Sequence, residues 1–267
     1  MNQREFPEPL EALLLLLITF GTVLVGGFLI IILIMDPQSV AGASKAVLII
    51  GAIPMLLIPV IYSKLRGYNL TELFRLRPVS WEVVLYSFLI GITIPVVGDE
   101  IDRIVQIFIT IPPEFLKNLT AGLHAESAWD WILLILGAVL IAAASEELMF
   151  RGFFQVTLEK KGDITRAVLI ASFTWAITHL NIYWMIQIFI MGVIIGFLAW
   201  RTGSIIPAIL VHAINNMLSL LTINFEDKFD WFEMSGHVSP FVLIPSVLIL
   251  VLSLRHISFM YKSQLPD

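Results

Sequence analysis

Cysteine is absent from all 267 residues of the chain. That excludes disulfides, thiolate nucleophiles, thiolate zinc sites and iron–sulfur clusters. Charge is scarce too: 14% of the residues are Asp, Glu, Lys or Arg, against about 25% in an average soluble domain. The net charge is −5 and no basic block occurs, so nothing offers nucleic acid an electrostatic footprint. The short HExxH spacing of helix-borne zinc sites is missing. Internal repeats, low-complexity tracts and a soluble second domain are missing as well.

What remains is apolar. Hydrophobic residues make up 58% of the chain and the mean hydropathy is +0.91, the composition of an integral membrane protein. Segments long enough to cross about 30 Å of hydrocarbon recur near 11–35, 44–62, 82–98, 128–150, 165–180, 183–200, 204–223 and 240–260. The expected fold class is all-α: a polytopic transmembrane helical bundle of about eight spans around an intramembrane polar cavity. The first apolar run is too long for a signal-peptide core, so it reads as an uncleaved span. With a cytoplasmic N-terminus, twelve lysines and arginines fall on the inner side and four on the outer, which puts both termini inside. Three regions follow: residues 1–125 with N-terminal helices and interfacial segments, 126–223 as a polar-lined core, and 224–267 with an external loop and a final span.

Smaller features fit this frame. Leu70 to Leu76 reads either as a short amphipathic piece at the interface or as a solvated loop. Asp99 to Ala125 reads as an external interfacial helix and loop, its cluster Asp99, Glu100, Asp102 and Arg103 being a wetted helix end. Gly192 and Gly196 stand in GxxxG spacing, which allows another helix of the bundle to pack closely. Pro54, Pro59 and Pro95 fall inside spans.

The stretch from Trp131 to Lys160 breaks the apolar rule with Glu146, Glu147 and Arg151. Ionisable groups at a bilayer centre cost roughly 2.5–3.5 kcal/mol each on insertion scales, so three within six positions require partners. On a helix Glu147 and Arg151 are i and i+4, the order that favours an ion pair. Glu146 is rotated by about 100° from its neighbour and stays free for chemistry. Two histidines, His179 and His212, lie in later spans. A turn at Lys161 to Asp163 would make an antiparallel hairpin that sets the glutamates level with His179. His212 and Asn216 share one face at i and i+4, with Asn215 pointing elsewhere. Trp175 stands one turn before His179 and can wall its ring.

A carboxylate and an imidazole can hold and deprotonate a water, while a second imidazole and an amide can stabilise a tetrahedral oxyanion. Hydrolysis is the chemistry this set suits. The same residues admit a metal reading, with Glu146, His179 and His212 as three ligands of a divalent ion such as zinc and an open position for water. Ser145 adjoins the glutamates, but a serine mid-helix typically bonds the carbonyl one turn back.

Three motifs, Glu146-Glu147-Leu-Met-Phe-Arg151 (EExxxR), Trp175-Ala-Ile-Thr-His179 (FxxxH-like) and His212-Ala-Ile-Asn-Asn216 (HxxxN), resemble in order and spacing those of the CPBP family, the CAAX-protease and bacteriocin-processing (Abi) intramembrane proteases. Trp175 replaces the family's usual Phe, a change expected to alter the wall of the site and not its proton chemistry. The resemblance spans about 128–220 and makes 126–223 the catalytic core. It implies Glu146 as general base, His179 assisting it, His212 and Asn216 as oxyanion hole, and the Glu147–Arg151 pair holding the base's helix. The family has been described both as metalloproteases and as glutamate-dependent; the second, with no required cofactor, is the expectation here. The implied activity is intramembrane hydrolysis of a peptide bond in a lipidated or hydrophobic substrate. The bilayer would be its other partner, and the plasma membrane of a prokaryote its location. A noncatalytic scaffold, an immunity-like protein or an accessory of lipoprotein processing is the alternative, with a carboxylate proton relay of a transporter as a third reading.

Overall fold

The computed structural model describes residues 5–34 and 40–262; Arg4, used above in assigning orientation, and Met35 lie outside the described residues. Helices α1 (Pro9–Ile34) and α2 (Val40–Leu65) lead into the one-turn α3 (Leu70–Leu73). Then come α4 (Trp81–Gln106), α5 (Pro113–Ala121) and a long helix α6 (Ala128–Lys161). The remainder is α7 (Ile164–Thr178), α8 (Met185–Thr202), α9 (Ile206–Asn224) and α10 (Pro240–Met260). The eight apolar segments of the sequence each correspond to a helix. Among the described residues six are long and apolar enough to cross a membrane, with α7 and the stretch Ile49–Leu65 of α2 apolar but shorter. Large apolar side chains such as Leu17, Phe28, Phe241, Ile244 and Leu252 are exposed on the outside of the bundle, where lipid would solvate them.

Helix α6 is not a uniform α-helix. It widens to π geometry over Ile135–Ile141 and again over Leu148–Phe154, leaving Ala142–Glu147 between them. Both wide turns carry a glycine in close contact. A Cβ on Gly137 would lie 2.6 Å from Ile49 Cγ1, and one on Gly152 would lie 3.1 Å from the Phe74 backbone. A π turn re-aims the side chains that follow it and commonly marks functional helices. The helix starts with a capping box between Ser127 and Asp130, which satisfies two of its orphan N–H groups. Asp130 also pairs with Lys45 at 2.9 Å. Gly162 and Asp163 reverse the chain, the Asp163 carboxylate accepting from the Arg166 N–H to cap α7.

The helix of the third span runs past residue 98 to Gln106, so Asp99 to Arg103 lie near its C-terminal end, as a helix-end cluster would. Arg103 bonds Asp99 and Glu233, and Glu100 accepts from His237 and the Val238 N–H of a small hairpin (Glu233–Met234 with His237–Val238), whereas Asp102 is buried and its Oδ1 has no partner among the described residues. Of the two readings of Leu70 to Leu76, the solvated loop does not hold: Leu70–Leu73 is a short helix whose Leu73 and neighbouring Phe74 are buried, Phe74 stacking on Phe153. Arg75, with φ +52°, turns the chain there, donates to the Arg151 carbonyl and pairs with Glu159.

The GxxxG glycines serve packing inside the chain. Gly192 faces Ser172 and Trp175 and Gly196 faces Gln155 and Val168, which lets α8 lie against α7 and α6. A small cavity, ≈20 Å³, sits between α4, α8, α9 and α10; among its apolar walls Gln187 and Asn215 are polar.

Candidate active site

The residues of the three motifs converge from α6, α7 and α9. The Glu147 side chain is wholly buried and its Oε1 accepts from Arg151 Nη1 at 2.9 Å, as the i, i+4 spacing predicts. The same oxygen lies 2.8 Å from His212 Nδ1. One carboxylate therefore holds both the arginine of its own helix and the histidine of α9. Burying a lone carboxylate or guanidinium is costly, and this shared arrangement offsets it. Arg151 also donates to the Gly192 carbonyl at 3.4 Å and lies 4.2 Å above the Trp175 ring.

Glu146 stays out of that pair, as its rotation on the helix requires. Its side chain is 22% exposed. Trp175 Nε1 donates to Glu146 Oε2 at 2.7 Å, and His212 Nε2 lies 4.0 Å from the same oxygen. That last distance is too long for a hydrogen bond and matches a gap that one water can bridge. Trp175 walls the His179 ring as expected and also carries a hydrogen bond. An indole carries a donor that phenylalanine lacks, and here the donor is on the free glutamate.

His179 closes α7 as its C-cap and is exposed. Its Nδ1 faces the Trp175 carbonyl at 2.9 Å, so Nδ1 carries the proton and Nε2 is free to accept one when the ring is neutral. The turn behind it is pinned. Leu180 has φ +51°, and Asn181 Oδ1 accepts from the N–H groups of Tyr183 and Trp184. The His179 and His212 rings both meet Trp175 edge to face, with centroids 5.0 and 5.3 Å away.

Asn216 donates from Nδ2 to the Ala138 carbonyl at 2.9 Å, a carbonyl of the first π turn. Asn215 is not turned away from this set: its Nδ2 donates to Asn216 Oδ1 at 3.3 Å. Ser145 Oγ bonds the Ala142 carbonyl and is spoken for within its helix. Among the described residues no group of three or more His, Asp or Glu side chains is placed to hold a metal ion.

Sequence reasoning missed the Trp175 donor, the Glu147 bond to His212 and the Asn215 brace. Trp175 could have been found, because a buried indole N–H needs an acceptor. The Glu147–His212 bond depends on how α9 crosses α6, for which no local signal exists, whereas the Asn215 brace joins adjacent residues of α9.

Residues 128–218, about a third of the chain, match the family model described as type II CAAX prenyl endopeptidase Rce1-like. The match covers α6 to most of α9 and includes every motif residue. No curated protein and no solved structure gives a significant match to the chain.

Proposed function

We propose, from the match of residues 128–218 to the Rce1-like family model of type II CAAX prenyl endopeptidases, that the protein cleaves a lipidated or otherwise hydrophobic peptide with a water activated by Glu146. The observation that carries this reading is the contrast between the two neighbouring acids. Glu147 is buried and doubly committed, to Arg151 and His212, whereas Glu146 is partly open and turned toward His212 Nε2 across a water-sized gap.

In the proposed reaction Glu146 takes a proton from the bound water as it attacks the scissile carbonyl. His179, with Nε2 free, shares that proton and passes it to the leaving amine. His212 in its protonated form donates from Nε2, with Nδ1–H held on Glu147, and Asn216 supplies a second donor to the oxyanion. Two carboxylates, one guanidinium and one imidazolium make this centre neutral overall, which suits a site within hydrocarbon. No cofactor is needed for these steps. The exposed apolar surface on both sides of His179, Ile177, Leu180 and Ile182, suits a substrate that arrives through lipid.

The test is cleavage of farnesylated and membrane-peptide panels by purified protein beside Glu146→Gln. A loss of about 10²–10⁴-fold is expected, and equal cleavage by both would end the proposal. Full activity of a metal-free, chelator-treated preparation is the expected result for the glutamate mechanism; activity abolished by chelator and restored by zinc would overturn that part of it.

A further inference from the structure

The Trp175 indole reaches four motif side chains at once: Glu146 through Nε1, Arg151 over its face, and His179 and His212 in edge-to-face contact. We infer that Trp175 is a positioning residue whose N–H fixes the Glu146 carboxylate for its reaction with water, a task the phenylalanine of the resembling motif cannot perform. This rests on the proposed role of Glu146 and specifies how that base is held.

Trp175 is 2% exposed. Indole is a donor only, and its partner is a carboxylate oxygen at 2.7 Å, a charge-assisted bond of the stronger kind. The bond occupies one lone pair of Oε2, the oxygen nearest His212 Nε2. Among the described residues Oε1 has no hydrogen-bond partner, so the carboxylate is tethered at one atom and open at the other. The ring cannot drift away from it. Gly192 of α8 lies behind the indole so closely that a Cβ there would sit 3.1 Å from Cε3, and the guanidinium of Arg151 covers the face at 4.2 Å.

Trp175→Phe removes the N–H and keeps most of the ring, which separates positioning from packing. The carboxylate loses the donor that holds it in place, so kcat is expected to fall by about tenfold with KM little changed. The other charged groups near Glu146 keep their partners in this variant: His179 bonds the backbone carbonyl of residue 175, His212 bonds Glu147, and Arg151 stays on Glu147. Helix α2, which packs alongside, has no ionisable residue between Lys45 and Tyr62.

The experiment measures kcat and KM of full-length protein and Trp175→Phe on an internally quenched farnesyl peptide. In parallel, indole proton and nitrogen resonances are recorded on protein labelled with ¹⁵N-tryptophan, the Trp175 signal being assigned by its loss in Trp175→Phe. A lowered kcat at little-changed KM, with a downfield Trp175 indole proton that moves upfield in Glu146→Ala, supports the inference. An unchanged kcat, or a loss confined to KM, overturns it, as does an indole signal indifferent to Glu146→Ala. The resonance requires no turnover, so it decides the contact even if Glu146→Gln cleaves normally and the endopeptidase reading falls. It is read in the parent and Glu146→Ala proteins even where Trp175→Phe does not fold, the assignment then resting on selective ring labelling.

Discussion

Glu147 holds His212 by Nδ1 at 2.8 Å while the same oxygen holds Arg151 at 2.9 Å. Removing that carboxylate strands a guanidinium with no exposure to solvent, and breaking a buried pair from one side costs about 3–5 kcal/mol. Glu147→Ala is therefore expected to lower the melting temperature sharply in detergent. Glu147→Gln keeps an acceptor of the same shape, so it should fold. It weakens the grip on protonated His212, and cleavage should drop by at least about 10²-fold. Thermal unfolding and kcat of the two variants side by side check this; a Gln variant as active as the parent would show that His212 needs no charged partner.

Asn216 spends one amide N–H on the Ala138 carbonyl and receives Asn215 on its oxygen, which leaves its second N–H for an oxyanion. Asn216→Ala should lower kcat by about 10²–10³-fold, the usual loss for one oxyanion donor, with KM little changed. Asn215→Ala removes only the brace and should cost less than about tenfold, the scale of a misoriented neutral hydrogen bond. Steady-state kinetics with a fluorogenic prenyl peptide separate the two, and equal losses would place Asn215 in the site itself.

How much of this was legible in the sequence follows from the range of each interaction. The order of the apolar helices, the Glu147–Arg151 pair and the α6–α7 hairpin depend on neighbours within a few turns, and each is where the spacing puts it. The π turns of α6 were not legible. They accompany close contacts of Gly137 with Ile49 and of Gly152 with Phe74, residues far away in the chain. The two extra turns of α4 were hidden because Asp99, Glu100 and Asp102 lower local hydropathy, although Arg103, His237 and the hairpin backbone supply partners for Asp99 and Glu100. Trp175 was visible as a departure from phenylalanine, but the direction of its N–H depends on how α6 and α7 cross.

Tyr68, just beyond the end of α2, donates to Glu11 Oε1 of α1 at 2.7 Å, so it ties the first two helices together. Burial, and after it the bond to Glu11, pushes the phenol up from its ordinary value of 10.0. A phenol harder to ionise in the folded protein contributes stability that is complete below the unfolded value and is lost as pH rises through the folded one. Melting temperature should therefore decline above about pH 10. Tyr68→Phe should begin lower and decline less steeply over that interval. Parallel slopes for the two proteins would remove Tyr68 from the alkaline transition.

Gly192 tests whether α8 sets the position of the catalytic cluster. A methyl group at this position would lie 2.9 Å from Ser172 Cβ, 3.2 Å from Ser172 Cα and 3.1 Å from Trp175 Cε3. Two of those atoms belong to the α7 scaffold and cannot rotate aside, so Gly192→Ala must push α7 and α8 apart at a cost of about 1–3 kcal/mol. The displaced indole would draw away from Glu146, and Arg151 would shift with it, because its Nη2 bonds the Gly192 carbonyl. Activity should fall further than the loss of stability alone accounts for at a temperature where both proteins are fully folded. Gly196→Ala, one turn on, meets Gln155 Oε1 at 2.9 Å and Val168 Cγ1 at 3.2 Å, both side-chain atoms distant from the glutamates. It should lower stability with kcat nearly intact, and equal kcat losses in the two variants would mean that bundle spacing as a whole, rather than the wall behind Trp175, governs the site.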